Sequence, residues 1–535
     1  MNALACLLAA LTTVCPQAAS AAEDSLVLSR PQKALPNEVI ELKPIAGHHF
    51  NVEAPQKCGG AKADSVTPRK FRCQMPGSGK IEVVVSVCDD AKSFCRQERF
   101  VVSISGKEKK KLHAERPAAA RAAPPGFMLN TPEKAFALAR QKRAPLFVHF
   151  FGIWCPPCNM LEEAVYPTPE FQRAAAPFVK LALDADAQLS WELKGRFKIG
   201  GYPTLLVLDE QGREVSRAVG YRSPAALKAF LSRSRSLLKR PIEDVSRSLD
   251  KAAPDADGAA RARVADWRLA RGEYELALSA AGSAPESRRE ALLARKQKAE
   301  KEDDSPALLA VLKELTTDLP EDPELTEWAA TLAELDKPAA EALVEAVRAG
   351  ASRWTADPSL SEYGLVAGDI LATQAYYLET LGRNADAQAA WFSAALAYDS
   401  EVSASRLTLA RGANLERAYC LQKAGRLDEA RALYEELVAA YPGEFTFHYG
   451  YGRLLLELKN YSAALDSARS AVKSGYGDNW LRAVALEAKI LKALDRKPEM
   501  IRALDGALAE ASAPKSTAVR THRYLAELRR LRSEL

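Results

Sequence analysis

The stretch "PLFVHFFGIWCPPCNMLEE" (residues 145–163) sets an apolar run against two cysteines, Cys155 and Cys158, with only Pro156 and Pro157 between them. The run Leu146–Phe151 has the length and composition of a buried strand, and a helix is expected to begin at the cysteines. Pro157 suits the first helical turn, where its missing N–H costs nothing. A cysteine at that junction faces unpaired backbone N–H groups, which favour its thiolate. The spacing then puts Cys158 one turn on, within reach of a disulfide. Three chemistries fit such a pair: redox exchange, half of a zinc site, or a structural disulfide.

The compartment narrows that choice. "MNALACLLAALTTVCPQAASAAED" holds an apolar run from Ala3 to Val14 and an A-x-A site at Ala19-Ser20-Ala21, although no Lys or Arg precedes the run. It reads as a secretory leader over residues 1–22, too short to anchor in a bilayer. Cys15 lies in a poor lipobox context. No later segment is apolar enough to span a membrane, so the expectation is a periplasmic or secreted protein of bacterial type. Seven of the nine cysteines lie beyond the leader, and in an oxidising compartment they tend towards disulfides. Zinc would need a second pair of ligands at suitable spacing, and none is present. His48-His49 reads as a polar strand pair. The sequence calls for no metal and no cofactor.

With 535 residues, several domains are expected. The 74 basic residues nearly balance the 69 acidic ones, which gives no electrostatic reason for a nucleic-acid partner. Residues 23–105 alternate short strand-like runs with turn formers and read as a small β-sandwich with four cysteines. The local pairings are Cys58–Cys73 and Cys88–Cys95, though spacing alone leaves other connectivities open. Residues 106–126 form a basic, Pro- and Ala-rich linker. Residues 127–238 alternate strands and helices and end in a hairpin turning at Gln211-Gly212 and a closing helix, which predicts an α/β sheet covered on both faces.

Residues 239–535 are Ala- and Leu-rich and helical in pattern. "KAGRLDEARALYEEL" from Lys423 and "ELKNYSAALDSARSA" from Glu457 recur at a spacing of 34 residues. This resembles tetratricopeptide (TPR) repeats, with Ala430, Tyr434 and Pro442 in one unit and Gly452 and Ala464 in the next. Diverged copies carry Gly382, Ala387 and Trp391, and Gly272 and Ala277. The resemblance implies an all-α solenoid that docks a protein or peptide partner. Cys420, inside a repeat helix, reads as a buried free thiol.

Residues 127–234 resemble a thioredoxin domain: "WCPPC" matches the active-site pattern, "GGYPT" (200–204) the cis-proline loop, Gly212 the closing hairpin turn and Gly220 the position before the last helix. The resemblance implies that Cys155 attacks, that Cys158 resolves, and that Trp154, Tyr202 and Pro203 shape the substrate groove. The clients would be protein disulfides or thiols. Where the family usually carries a buried acid stands His149, with Lys180 in the position of its usual partner. His149 is either a proton acceptor for Cys158 or a histidine packed in the core. The β-domain is similar to that of periplasmic disulfide-relay reductases, so Cys88–Cys95 could be a redox relay or a staple. The fold expected is multidomain: a β-sandwich, a thioredoxin fold and a TPR-like solenoid. The function expected is exported thiol–disulfide oxidoreduction, reducing or exchanging. The competing expectation is a scaffold whose thioredoxin-like domain only binds peptides.

Overall fold

The computed structural model describes residue 27, most of residues 31–104, and residues 123–404, 410–511 and 521–535; within 31–104, residues 32, 35–38, 55, 60, 63–64, 77 and 91–93 are excepted. The leader, Cys6, Cys15 and nearly all of the linker therefore lie outside the described residues. The described residues fall into two compact units, one within 117–297 and 309–476, the other within 12–116, 298–308 and 477–535.

In the second unit the N-terminal region is sheet-rich. The strands Gly79–Asp89 and Cys95–Ile104 form its long hairpin, to which Lys33–Ala34, His48–Phe50, Lys57–Cys58 and Ala61–Lys62 add. A separate three-stranded sheet joins Val39–Leu42, Lys70–Gln74 and Ser65–Thr67. One apolar core lies between them, with Leu42 and Phe71 from the small sheet meeting Phe50, Val83, Val85 and Val102 from the large one. Alternation of buried and exposed positions along Lys70–Gln74 is the period-two signature of a strand with one face on a core. Cys58 and Cys73 belong to different sheets and are joined by a disulfide. Cys88 and Cys95 stand opposite each other in the hairpin and are also joined. The same unit ends in helices Gly477–Ala493, Lys497–Glu510 and Thr521–Ser533.

The first unit is built around a five-stranded sheet in the order Met128–Leu129, Val179–Asp184, Leu146–Phe151, Thr204–Leu208, Glu214–Val219. The first three strands are parallel, Thr204–Leu208 runs antiparallel to the central strand, and Glu214–Val219 pairs antiparallel with it in turn. Every residue of Leu146–Phe151 is buried, as its unbroken apolar run requires of a strand covered on both faces. One face packs Leu146, Val148 and Phe150 against Ala135, Leu181 and Leu206. The other presents Phe147 to Phe127, Tyr166 and Phe171 at ring separations of 5.9 to 6.4 Å. At the sheet edge, Glu214 is fully buried and paired with Arg217 at 2.6 Å and Arg271 at 3.1 Å, which fastens the last strand to the helical region.

From Ile242 onward every described element is helical. The expected repeat positions sit inside the pairs: Ala430, Ala464 and Ala277 are fully buried, and Trp391 and Tyr434 nearly so. Neighbouring helices approach closely at Gly450, where an added Cβ would stand 2.7 Å from the Tyr434 hydroxyl oxygen. Gly382 and Gly425 end their helices in the left-handed region, at φ +87° and +77°, where a side chain would be strained. Cys420 is buried and belongs to no disulfide.

Candidate active site

Cys155 is the N-cap of the short helix Pro156–Met160, which runs on into the wider turn Leu161–Val165. The backbone N–H of Cys158 donates to Cys155 Sγ at 3.3 Å. That contact is the physical form of the helix-start argument, a donor of the first turn aimed at the sulfur. The two cysteines are joined in a disulfide, with Cα atoms 5.3 Å apart, inside the usual range for a bridge.

Trp154 contacts Asp186 and Tyr202. Its Nε1 donates to Asp186 Oδ2 at 2.7 Å, and its ring meets Tyr202 edge-on at 5.6 Å between centroids. Asp186 is itself placed by its backbone N–H, which donates to Asp184 Oδ1 at 3.0 Å. The Tyr202–Pro203 peptide is cis, and Pro203 O accepts from Gly220 N at 2.9 Å. The structure thus sets Tyr202 against Trp154, the residue before Cys155, and links Pro203 to Gly220.

His149 lies on the central strand and is fully buried, with its ring 5.5 Å from Phe151 and 5.4 Å from Tyr166. Across the sheet it faces Ala182 and Leu205, whereas Lys180 stands opposite Phe147. Lys180 is half-buried, and burial lowers its pKa from the ordinary lysine value. In the β-region His49 Nδ1 lies 3.1 Å from Asp90, which also pairs with Arg69 at 3.2 Å.

Several residues of this site carry no motif. Asp186 holds Trp154, and only the acidic end of "LALDAD" hinted at it. Glu163 and Arg411 meet at 2.5 Å although 248 residues apart. Glu416, on the helix Arg411–Lys423, is buried; that burial, together with the charge of Asp369, pushes its pKa up to about 8. An unfolded glutamate ionises near 4.3, so the folded chain holds a proton here that the unfolded chain has lost. The stabilisation from that proton is complete below about pH 4 and is lost as the pH rises through about 8. Glu416→Gln, which keeps the neutral shape, is expected to flatten this decline and to gain about 2–4 kcal/mol over the wild type at pH 8. Urea melts across that pH range would show parallel curves for the two proteins if Glu416 were instead ionised at neutrality.

A family model described as a thioredoxin-like domain matches residues 132–234. A second, described as a tetratricopeptide repeat, matches residues 372–442 and 415–479. The chain carries a thioredoxin-like domain and tetratricopeptide repeats. Within the thioredoxin-like region, the chain is 34% identical over 95 residues to Protein disulfide isomerase-like 1-3 of Oryza sativa subsp. japonica, covering 16% of each protein. It is 30% identical over 99 residues to the Thiol:disulfide interchange protein DsbD of Salmonella paratyphi A, covering 18% of each. The match therefore spans less than a fifth of the length of these relatives. A tetratricopeptide repeat protein from Parabacteroides merdae aligns with 45% of this chain and 98% of its own at 14% identity, with a TM-score of 0.23, too low to bear on the fold. Among the described residues, no helix is long and apolar enough to cross a membrane.

Proposed function

We propose that the protein is an exported thiol–disulfide oxidoreductase acting on protein disulfides through Cys155 and Cys158. The observation that carries this reading is the cysteine bridge at a helix start, with Cys158 N–H on Cys155 Sγ, in a domain that also holds a cis Tyr202–Pro203 bond. In the reducing direction, the Cys155 thiolate attacks one sulfur of the client disulfide, and the departing client sulfur takes up a proton. The Cys158 thiolate then attacks Cys155 Sγ and releases the second client sulfur, which is protonated in turn. The client gains two electrons, the pair is left as a disulfide, and an external dithiol restores it.

Trp154, Tyr202 and Pro203 would line the groove that receives the client. His149 we read as a packing residue, given its aromatic surroundings. Domain limits at 22, 105, 126 and 238, removal of the leader and periplasmic or secreted location belong to the same reading. So does a docking role for the repeats.

A scaffold whose thioredoxin-like domain binds peptides without exchange is the second reading. It is favoured by the burial of Cys155, which retains 2% exposure. Trapping separates the two. In cells, Cys158→Ala should accumulate discrete mixed disulfides on Cys155 that are absent from the Cys155→Ala control. An exported, folded Cys158→Ala protein with no bands beyond the control would favour the scaffold.

A further inference from the structure

An exchanging disulfide must be met by a second sulfur, so its exposure is part of its chemistry. Here Cys158 is fully buried, Cys155 nearly so, and Trp154 is 6% exposed. Elements of the repeat region lie against the cysteine helix and against the residues that support the proline loop and the tryptophan.

The first contact is at the cysteines. Helix Arg411–Lys423 packs against helix Pro156–Met160, and the approach requires glycine. A Cβ on Gly412 would collide with Pro156 O and come within 2.9 Å of Met160 N. The start of that helix is clasped by Glu163, whose Oε2 accepts from Arg411 N at 2.9 Å and whose Oε1 accepts from Arg411 Nε at 2.5 Å. Arg411 continues to Glu444 at 2.8 Å. Although burial alone would lower the pKa of this guanidinium, the two carboxylates hold it above its ordinary value.

The second contact is at the proline loop. Gly220, which donates to Pro203 O, is followed by Tyr221, whose N–H donates to Gly364 O at 3.1 Å. Gly364 lies so close that a Cβ on Gly220 would strike it. Ser361 adds a hydrogen bond to Ser223 at 2.9 Å. The third contact is at the tryptophan: the Tyr476 hydroxyl donates to Asp184, the residue that positions Asp186 under Trp154.

We propose that this is a closed state in which the repeats occupy the docking surface of the thioredoxin-like domain, and that the Arg411–Glu163 clasp must part before a protein disulfide can reach Cys155. The occupant of this repeat surface is then the chain's own redox domain, and a client competes with it. The proposal rests on the redox reading for its purpose, but not for its test. The named contacts are glycine backbone, hydrogen bonds and charged groups that hydrate readily when separated, a composition suited to reversible association. If only the open fraction reacts, the rate towards a bulky partner scales with that fraction.

The test uses the full chain and the size of the reagent. After brief reduction with a phosphine, alkylation of Cys155 is followed by peptide mass analysis with N-ethylmaleimide and with a polyethylene-glycol maleimide. Wild-type Cys155 should react at least about tenfold faster with the small reagent, after allowance for the difference seen with a free thiol peptide. Arg411→Ala, which releases the clasp, and Gly412→Leu, which wedges the helices apart, should each remove that discrimination while thermal melts report a folded chain. Should Gly412→Leu fail to fold, Glu163→Gln takes its place. Wild-type protein without size discrimination, or folded variants that retain it in full, would overturn the proposal. Discrimination that disappears in the variants, with no protein-disulfide exchange by those opened chains, would keep the closed state and discard the redox reading.

Discussion

Replacing Cys155 with alanine is expected to lower the rate of protein-disulfide exchange by at least about 1,000-fold, because among the described residues no other cysteine stands at a helix start with a backbone N–H on its sulfur. Of the described cysteines beyond this pair, four are tied in the bridges Cys58–Cys73 and Cys88–Cys95, and Cys420 is buried. Cys158→Ala should behave differently. Cys155 would still attack, but resolution would fall to external thiol. An oriented intramolecular group acts at an effective concentration of about 10⁵ M or more, and external thiol is present at millimolar levels. Cys158→Ala should therefore give one equivalent of mixed disulfide quickly and then stall. Single-turnover mixing with a fluorescent peptide disulfide, followed by non-reducing electrophoresis, reads both steps. Turnover by Cys155→Ala near the wild-type rate would place the chemistry elsewhere.

The placement of the two cysteines was legible in the sequence because short spacing carries it. A strand, a turn and a helix start within 14 residues determine where Cys155 and Cys158 stand, and local rules suffice for them. The same holds for the closing hairpin at Gly212 and for the repeat pair around Ala430 and Ala464, where period and small residues coincide. What the sequence did not disclose is long-range. Glu163 sits just past the cysteine helix as an ordinary acid, and nothing marks Arg411 as its partner. Tyr476 and Asp184 are 292 residues apart. Such contacts arise only when helices from the repeats return to the sheet, and one chain alone has no periodic signal for that return. The glycines show the same limit. Gly412 and Gly364 are needed for close approach to a distant segment, whereas sequence logic assigns glycine to turns and to neighbouring helices.

Removing the Cys58–Cys73 bridge should cost the β-rich region more stability than removing Cys88–Cys95, and the topology supplies the reason. Cys58 and Cys73 lie on different sheets of one core and close a span of 15 residues. In the chain-entropy account, a loop of that length restrains the unfolded state by about 3 kcal/mol. Cys88 and Cys95 are 7 residues apart and already face each other in a hairpin of ten paired positions, so the bridge there restrains a shorter loop. The double variant Cys58→Ala/Cys73→Ala should lose about 2–5 kcal/mol in denaturant melts followed by β-sheet circular dichroism. Cys88→Ala/Cys95→Ala should lose less. The reverse order would mean that the hairpin depends on its bridge for structure. The expected order leaves Cys88–Cys95, whose Cys95 is exposed, as the bridge that the domain can open at smaller cost.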